Sequence, residues 1–354
     1  MAVIARSEAT KQSRCAGQWR IRGLLTLLAA GCAAAFALAA HGEDGARLSQ
    51  SLAATEQRLG PSHPDLLALI EPLAQARFRE GDFAAATALH RRALGIAREA
   101  FGAASVEAAE ARVALALSYV EMQRYLDAEA LLIGARIDLT RVLGADAPAL
   151  APVLCALARI AAARGADRDA VAFARQAVAI DASSEPLRVL GAALAGAEQF
   201  EESERTLERA VAEARAGEGA DGLAAARSLR QLAELYLRQQ RFAEALPRLE
   251  EAISIDQTRL GAGHPLLGGD WHDLGAAYLG EERLAEAEKA FRQAVDVLQR
   301  GPARGTPLAA NVELGLARVS QQQGHEREAR ALFEDARRLL DNGEREERER
   351  ERQI

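Results

Sequence analysis

Apolar and small residues recur along this chain at helical spacing. Within residues 222–239, Leu229, Leu232, Ala233 and Tyr236 fall at i, i+3, i+4 and i+7, the pattern of one buried helix face. Within 241–260, Ala245, Leu249 and Ala252 do the same. The spacing predicts two amphipathic helices joined by a tight turn. That pair is written seven times. Counted from an aromatic residue or its substitute (the anchor), the series runs Phe83, Tyr125, Asp167, Phe200, Phe242, Leu284, Glu326, with gaps of 42, 42, 33, 42, 42 and 42 residues. Ten residues before each anchor stands a Leu, from Leu73 to Leu316, followed at once by Ala or Gly. Three after the anchor comes Ala, or Ser203 in the fourth unit; ten after it, from Ala93 to Ala336, always Ala. Periodicity of this length predicts stacked supersecondary units with one long, thin core.

Turn chemistry marks the unit ends. Gly60, Gly102, Gly144 and Gly261 each follow a large apolar residue, which predicts left-handed helix C-caps there. Pro64, Pro148, Pro265 and Pro307 all lie nine before the repeat Leu, where a first helix should begin. Pro247 is expected within about the first turn of a second helix, and Pro72, mid-helix, predicts a kink or a shortened helix. Asp167 and Glu326 replace the anchor aromatic, so the third and seventh pairs are expected to pack less tightly there.

This arrangement resembles the tetratricopeptide repeat, whose small-residue and alanine positions match Ala74, Gly191 and Gly275 and the Ala93 series. The 42-residue units, with Gly60-Pro61-Ser62-His63-Pro64 and Gly261-Ala262-Gly263-His264-Pro265, resemble its longer kinesin-light-chain type. The resemblance covers about residues 60–340. It implies an all-α fold, an α-solenoid in which helix-turn-helix units wind into a right-handed superhelix. It also implies that the first helices line a concave groove holding extended peptides or helices. Around the seven repeats, residues 41–59 are expected to form a capping helix. Residues 341–354, with six acidic residues and four Arg, are expected to form a solvated helix extension or a disordered tail.

Residues 1–40 follow a different rule. Arg6, Lys11, Arg14, Arg20 and Arg22 stand against Glu8 alone, and the uncharged stretch 23–40 follows. A basic start, an apolar run and small residues at its end read as a secretory signal, with a small-x-small site at Ala37-Leu38-Ala39. An uncleaved signal anchor and a lipoprotein (Ala29-Ala30-Gly31-Cys32) are the other readings. Each puts the repeats outside the cytoplasm, secreted, periplasmic or membrane-anchored, and limits membrane contact to this segment. Without it, 39 basic and 50 acidic residues leave a formal net charge of −11, which argues against nucleic-acid binding.

Chemistry is sparse. No Walker-type loop, dinucleotide fingerprint, H-E-x-x-H or nucleophile elbow is present. His264, Asp270, His272 and Asp273 cluster in sequence but lack metal-ligand spacing, and His63 and His264 share one turn register that suggests a structural role. Three Cys make no disulfide framework, and Cys155 reads as a small apolar residue, with a reactive thiol as the alternative. We therefore expect no enzyme, metal or cofactor, and a scaffold that binds a protein or peptide, including acidic ones. A regulatory sensor that changes curvature on binding a peptide or ligand is the other reading. The resemblance places groove positions two before and two after the repeat Leu. They include Arg159, Arg188, Arg230, Glu234 and His272, with Arg227 and Arg238 flanking Arg230. The arginines suggest a basic strip suited to carboxylates, with ordinary solvated surface as the competing reading.

Overall fold

The computed structural model describes residues 42–79, 82–300 and 307–353. The expected signal or anchor at 1–40 lies outside the described residues. Fifteen α-helices and no strand are found among those described. Helix α1 (Gly42–Leu59) stands alone, and seven pairs follow. They are α2 (Leu67–Arg79) with α3 (Phe83–Phe101), α4 (Val106–Glu121) with α5 (Tyr125–Leu143), and α6 (Leu150–Ala163) with α7 (Asp167–Ile180). Next come α8 (Ser184–Gly196) with α9 (Phe200–Glu218), and α10 (Leu223–Arg238) with α11 (Phe242–Leu260). The last are α12 (Leu266–Gly280) with α13 (Leu284–Arg300), and α14 (Pro307–Gln322) with α15 (Glu326–Gln353). The charged tail is thus the end of α15.

The chain divides into two compact units, residues 1–182 and 183–354. In each, every second helix packs on its own first helix and, except for the last of the unit, on the next first helix. Successive first helices also touch, α4 with α6 in one unit, and α8, α10, α12 and α14 in turn in the other. No two successive second helices come as close. Each unit therefore has its first helices on the inner side.

The sequence marks become the core. Repeat Leu and both alanine registers are at most 8% exposed in all seven pairs. The small residue beside the Leu is where two backbones close up. A Cβ on Gly191 would lie 2.5 Å from the Leu207 side chain. Phe291 fills the Leu207 register in the sixth pair, and glycines stand on both sides of it: a Cβ on Gly275 or Gly315 would lie 2.8 or 2.5 Å from its ring. Close packing of this kind leaves no room for a methyl group without displacement.

Several local expectations need correction. The anchor is the first residue of the second helix in every pair, and it is half-buried or exposed in all seven. Accordingly, α6–α7 and α14–α15 pack as closely as the pairs with aromatic anchors. Asp167 and Glu326 sit where a carboxylate favours the helix N-terminus. Gly102, Gly144, Gly219 and Gly261 do follow second helices, but not in the left-handed helical region. Their φ of 90–96° comes with ψ of 148–169°, an extended region open essentially to glycine alone. Pro247 is the sixth residue of α11, in its second turn, where its missing donor leaves a carbonyl one turn back without its usual bond. Pro72 lies inside α2, which is short and preceded by a separate 3-10 turn, Pro64–Leu66.

Candidate functional site

The inner face of the second unit carries polar side chains on three first helices, hydrogen-bonded to one another across the first two. On α8, Arg188 donates Nη2 and Nε to Glu185 at 2.7 and 3.1 Å, and reaches the amide oxygen of Gln231 on α10 at 3.5 Å. Gln231 donates onward to Glu234, one helical turn along, at 2.6 Å. Glu234 faces the charge of Asp273 on α12, while Arg238 and Arg188 attract it. Crowding by surrounding protein raises its carboxyl above the ordinary glutamate range, and Asp273 adds to the rise, although the side chain as a whole is exposed. His272 Nδ1 lies 2.9 Å from Asp273, and its ring meets Phe291 edge-on at 5.9 Å.

This face is of mixed sign. Glu185, Glu234 and Asp273 alternate with Arg188 and Arg238, so the arginines do not make a purely basic strip. Arg159 belongs to the other unit, 3.7 Å from Glu121. Arg227 is half-buried on α10.

Arg230 has a different position from the one its register suggests. Its guanidinium is turned into the protein and pairs with Asp256 on α11 and Asp270 on α12, with a further contact to Asp270 at 3.1 Å. Both aspartates are 2% exposed. Burial pushes Asp270 up to about 6, and Arg230 only partly offsets it. Burial also raises Asp256. Two buried carboxyls on one cation make this a packing centre linking three helices. The register two before the repeat Leu is mixed: Val113 and Cys155 are buried there, while Arg188, Arg230 and His272 keep 20%, 23% and 25% of their side chains exposed. The register two after it, from Gln75 to Arg318, is open to solvent in part or in full throughout.

The remaining chemistry is also structural. His63 and His264 each accept a backbone N–H two residues on, at 3.2 and 3.3 Å, and so cap the turn before a first helix. Among the described residues, no three His, Cys, Asp or Glu gather to hold a metal ion, and no helix is long and apolar enough to cross a membrane. Two features escaped the sequence reading. His90 takes the register of Leu207 and Phe291, and is kept in the core by Ser118 at 2.7 Å with Glu71 at 3.3 Å from its other nitrogen. Tyr119, Tyr236 and Tyr278 are each covered, at 4.5 Å, by the Arg five residues on. The spacing Tyr-x4-Arg was there to be seen three times.

No curated protein matches the chain. Among solved structures, BtubC (BKLC) from P. vanneervenii superposes with a TM-score of 0.51 at 18% identity, over 67% of this chain and 92% of that one. PilW, a widely conserved type IV pilus biogenesis factor, gives 0.50 at 17% identity over 63% and 90%. A putative kinesin light chain with nearly identical TPR-like repeats from Podosopora anserina gives 0.45 at 23% over 55% and 97%. At these identities the likeness is one of fold. The tetratricopeptide repeat model matches residues 107–183, 184–258 and 271–342, well over half of the sequence. With seven helix pairs built on its small-residue and alanine registers, this chain belongs to the tetratricopeptide repeat family.

Proposed function

We propose that the protein is a non-enzymatic scaffold that holds an extended segment of another protein on the inner face of its second unit, outside the cytoplasm. The carrying observation is the polar chain Arg188–Gln231–Glu234, which crosses from one repeat to the next with Asp273 and His272 beyond it. An extended peptide laid across these helices meets donors and acceptors of both signs at each repeat. The fit is to a segment with carboxylates opposite Arg188 and Arg238 and cationic or amide groups opposite Glu234 and Asp273. The extracytoplasmic setting is supported by the charge order of residues 1–40, basic then uncharged.

The direct test pairs Arg188→Glu with Glu234→Arg and measures capture of partners from the extracytoplasmic fraction. Glu234 is exposed, and Arg188, although only 20% exposed, pairs with a half-exposed Glu185 one turn away on its own helix, so the fold should survive. Loss of the captured protein with an unchanged melting curve is expected. Undiminished capture would remove the inner face of the second unit as the binding site. A reporter fused after Ile354 that is active only outside the cytoplasm tests the location, and an inactive fusion would refute it.

A further inference from the structure

The second helix of the second repeat, α5, is apolar on two opposite faces. One face is ordinary core: Ala128, Leu132, Ala135 and Leu139 are at most 1% exposed. The other carries Leu126, Ala130, Ile133, Gly134 and Ile137, at i, i+4, i+7, i+8 and i+11. Leu126 is 71% exposed, Ile133 42% and Ile137 58%.

The other repeats show what water demands at these positions. At the register of Ile133, eight after the anchor, they carry Arg91, Arg175, Glu208, Glu250, Arg292 and Glu334. At the register of Ile137, the last three carry Ser254, Asp296 and Arg338. Six of seven outer faces are charged at the centre and one is apolar. A helix apolar all round is one that is covered on both sides.

We propose that this outer face of α5 is covered by α5 of a second copy of the chain, packed antiparallel across a twofold axis. The face is complementary to itself in size and in charge. With the axis passing between Ile133 and Gly134, Ile137 falls opposite the second copy's Ala130, and Ile133 opposite the second copy's Gly134. Large residues then enter the gaps left by small ones, as closely packed helices require. At the two ends, Asp127 comes beside the second copy's Arg141. Each of these now pairs locally, Asp127 with Arg124 just before the helix at 2.7 Å and Arg141 with Asp138 at 2.5 Å, both in solvent on at least one side and able to extend to a second partner. A self-matching patch is what an isologous dimer needs. One helix face is smaller than the roughly 800 Å² per partner of a stable complex, so the dimer is a weak one. This interface lies in the first unit and is independent of the inner-face reading of the second.

The test is sedimentation of the purified protein over a wide concentration range. A monomer–dimer equilibrium is expected. Ile133→Glu with Ile137→Asp should weaken it at least tenfold without moving the thermal melt, because both substitutions copy residues that other repeats already carry at those registers. If that variant melts early, Ile137→Ser, which copies Ser254, is the gentler probe. Arg141→Asp should weaken the dimer as well, and Asp127→Arg added to it should restore it. A protein still monomeric at about 1 mM, or a dimer that all these variants leave unchanged, overturns the proposal.

Discussion

At the turn inside the second to seventh repeats, the residue two before the anchor takes a left-handed conformation. Gly165 and Gly324 do so with φ of 71° and 80°. Gln123, Glu198, Gln240 and Glu282 do so without being glycine, at φ of 57–59°. The turn is a Schellman motif: the next residue's N–H reaches the carbonyl five back, as from Arg241 to Tyr236 at 2.9 Å and from Arg283 to Tyr278 at 2.9 Å. Those bonds, with the Arg lying over the Tyr ring, hold a conformation that costs an L-residue about 1–2 kcal/mol. Gln240→Gly or Glu282→Gly should therefore stabilise the protein by about 0.5–1 kcal/mol, the unfolded glycine's extra freedom taking back the rest. Urea midpoints will show it, and the opposite change, Gly165→Ala, should lower the midpoint. This detail was hidden in the sequence because four different repeats place Gln or Glu where the geometry asks for glycine.

At the scale of the helices, most of the fold was legible. Leu, small-residue and alanine registers were read correctly because burial acts on them directly, and a residue such as Ala252 or Ala294 has no second use. The inner face was less legible. Arg230 sits at the same register as Arg188, and only the position of two aspartates on other helices, Asp256 and Asp270, decides that it turns inward. Sequence distances of 26 and 40 residues carry no sign of that meeting. The structural centre also yields a sharp expectation. Arg230→Leu leaves two buried carboxylates without a cation and should cost about 3–5 kcal/mol. Asp256→Asn and Asp270→Asn added together to Arg230→Leu should return most of it, measured by denaturant unfolding. If the single and triple variants are equally unstable, lost packing rather than unpaired charge is the cause. For the same reason Arg230 is a poor probe of partner binding, and Arg188 and Glu234 are the better ones.

For the molecule as a whole, the buried carboxyls set how stability depends on pH. Burial raises Glu110 to about 7, with Glu107 adding to it, and one oxygen of Glu110 is buried without a hydrogen-bond partner. Asp270 is pushed up to about 6, and Asp256, Glu234 and Glu313 are raised too, desolvation leading in each. A carboxyl with a raised folded value holds its proton longer in the native state than in the unfolded one. Between the unfolded carboxylate range near pH 4 and about pH 7, the native state therefore binds more protons, and stability falls as pH rises. Glu71 and Glu204 act in the opposite direction. Burial lifts Glu71 but His90 and Gln75 outweigh it, and Arg241 holds Glu204 down. Their contribution is present above the unfolded glutamate value and is lost only below it, as pH falls through their lowered folded values. The two sets together place the stability maximum near about pH 5. Thermal unfolding followed by circular dichroism should show a midpoint higher at pH 5 than at pH 7.5, by about 2–4 °C. A pKa unit is worth about 1.4 kcal/mol at full burial; Glu110 is half-buried, so Glu110→Gln should raise stability at pH 7.5 by about 1–2 kcal/mol. The same substitution should leave the pH 5 midpoint nearly unmoved and so narrow the gap between the two. A midpoint that stays level from pH 5 to pH 7.5 would mean that the buried carboxyls do not govern the fold; one that climbs would point to His264, which burial holds below the ordinary histidine value, so that its contribution grows as pH rises.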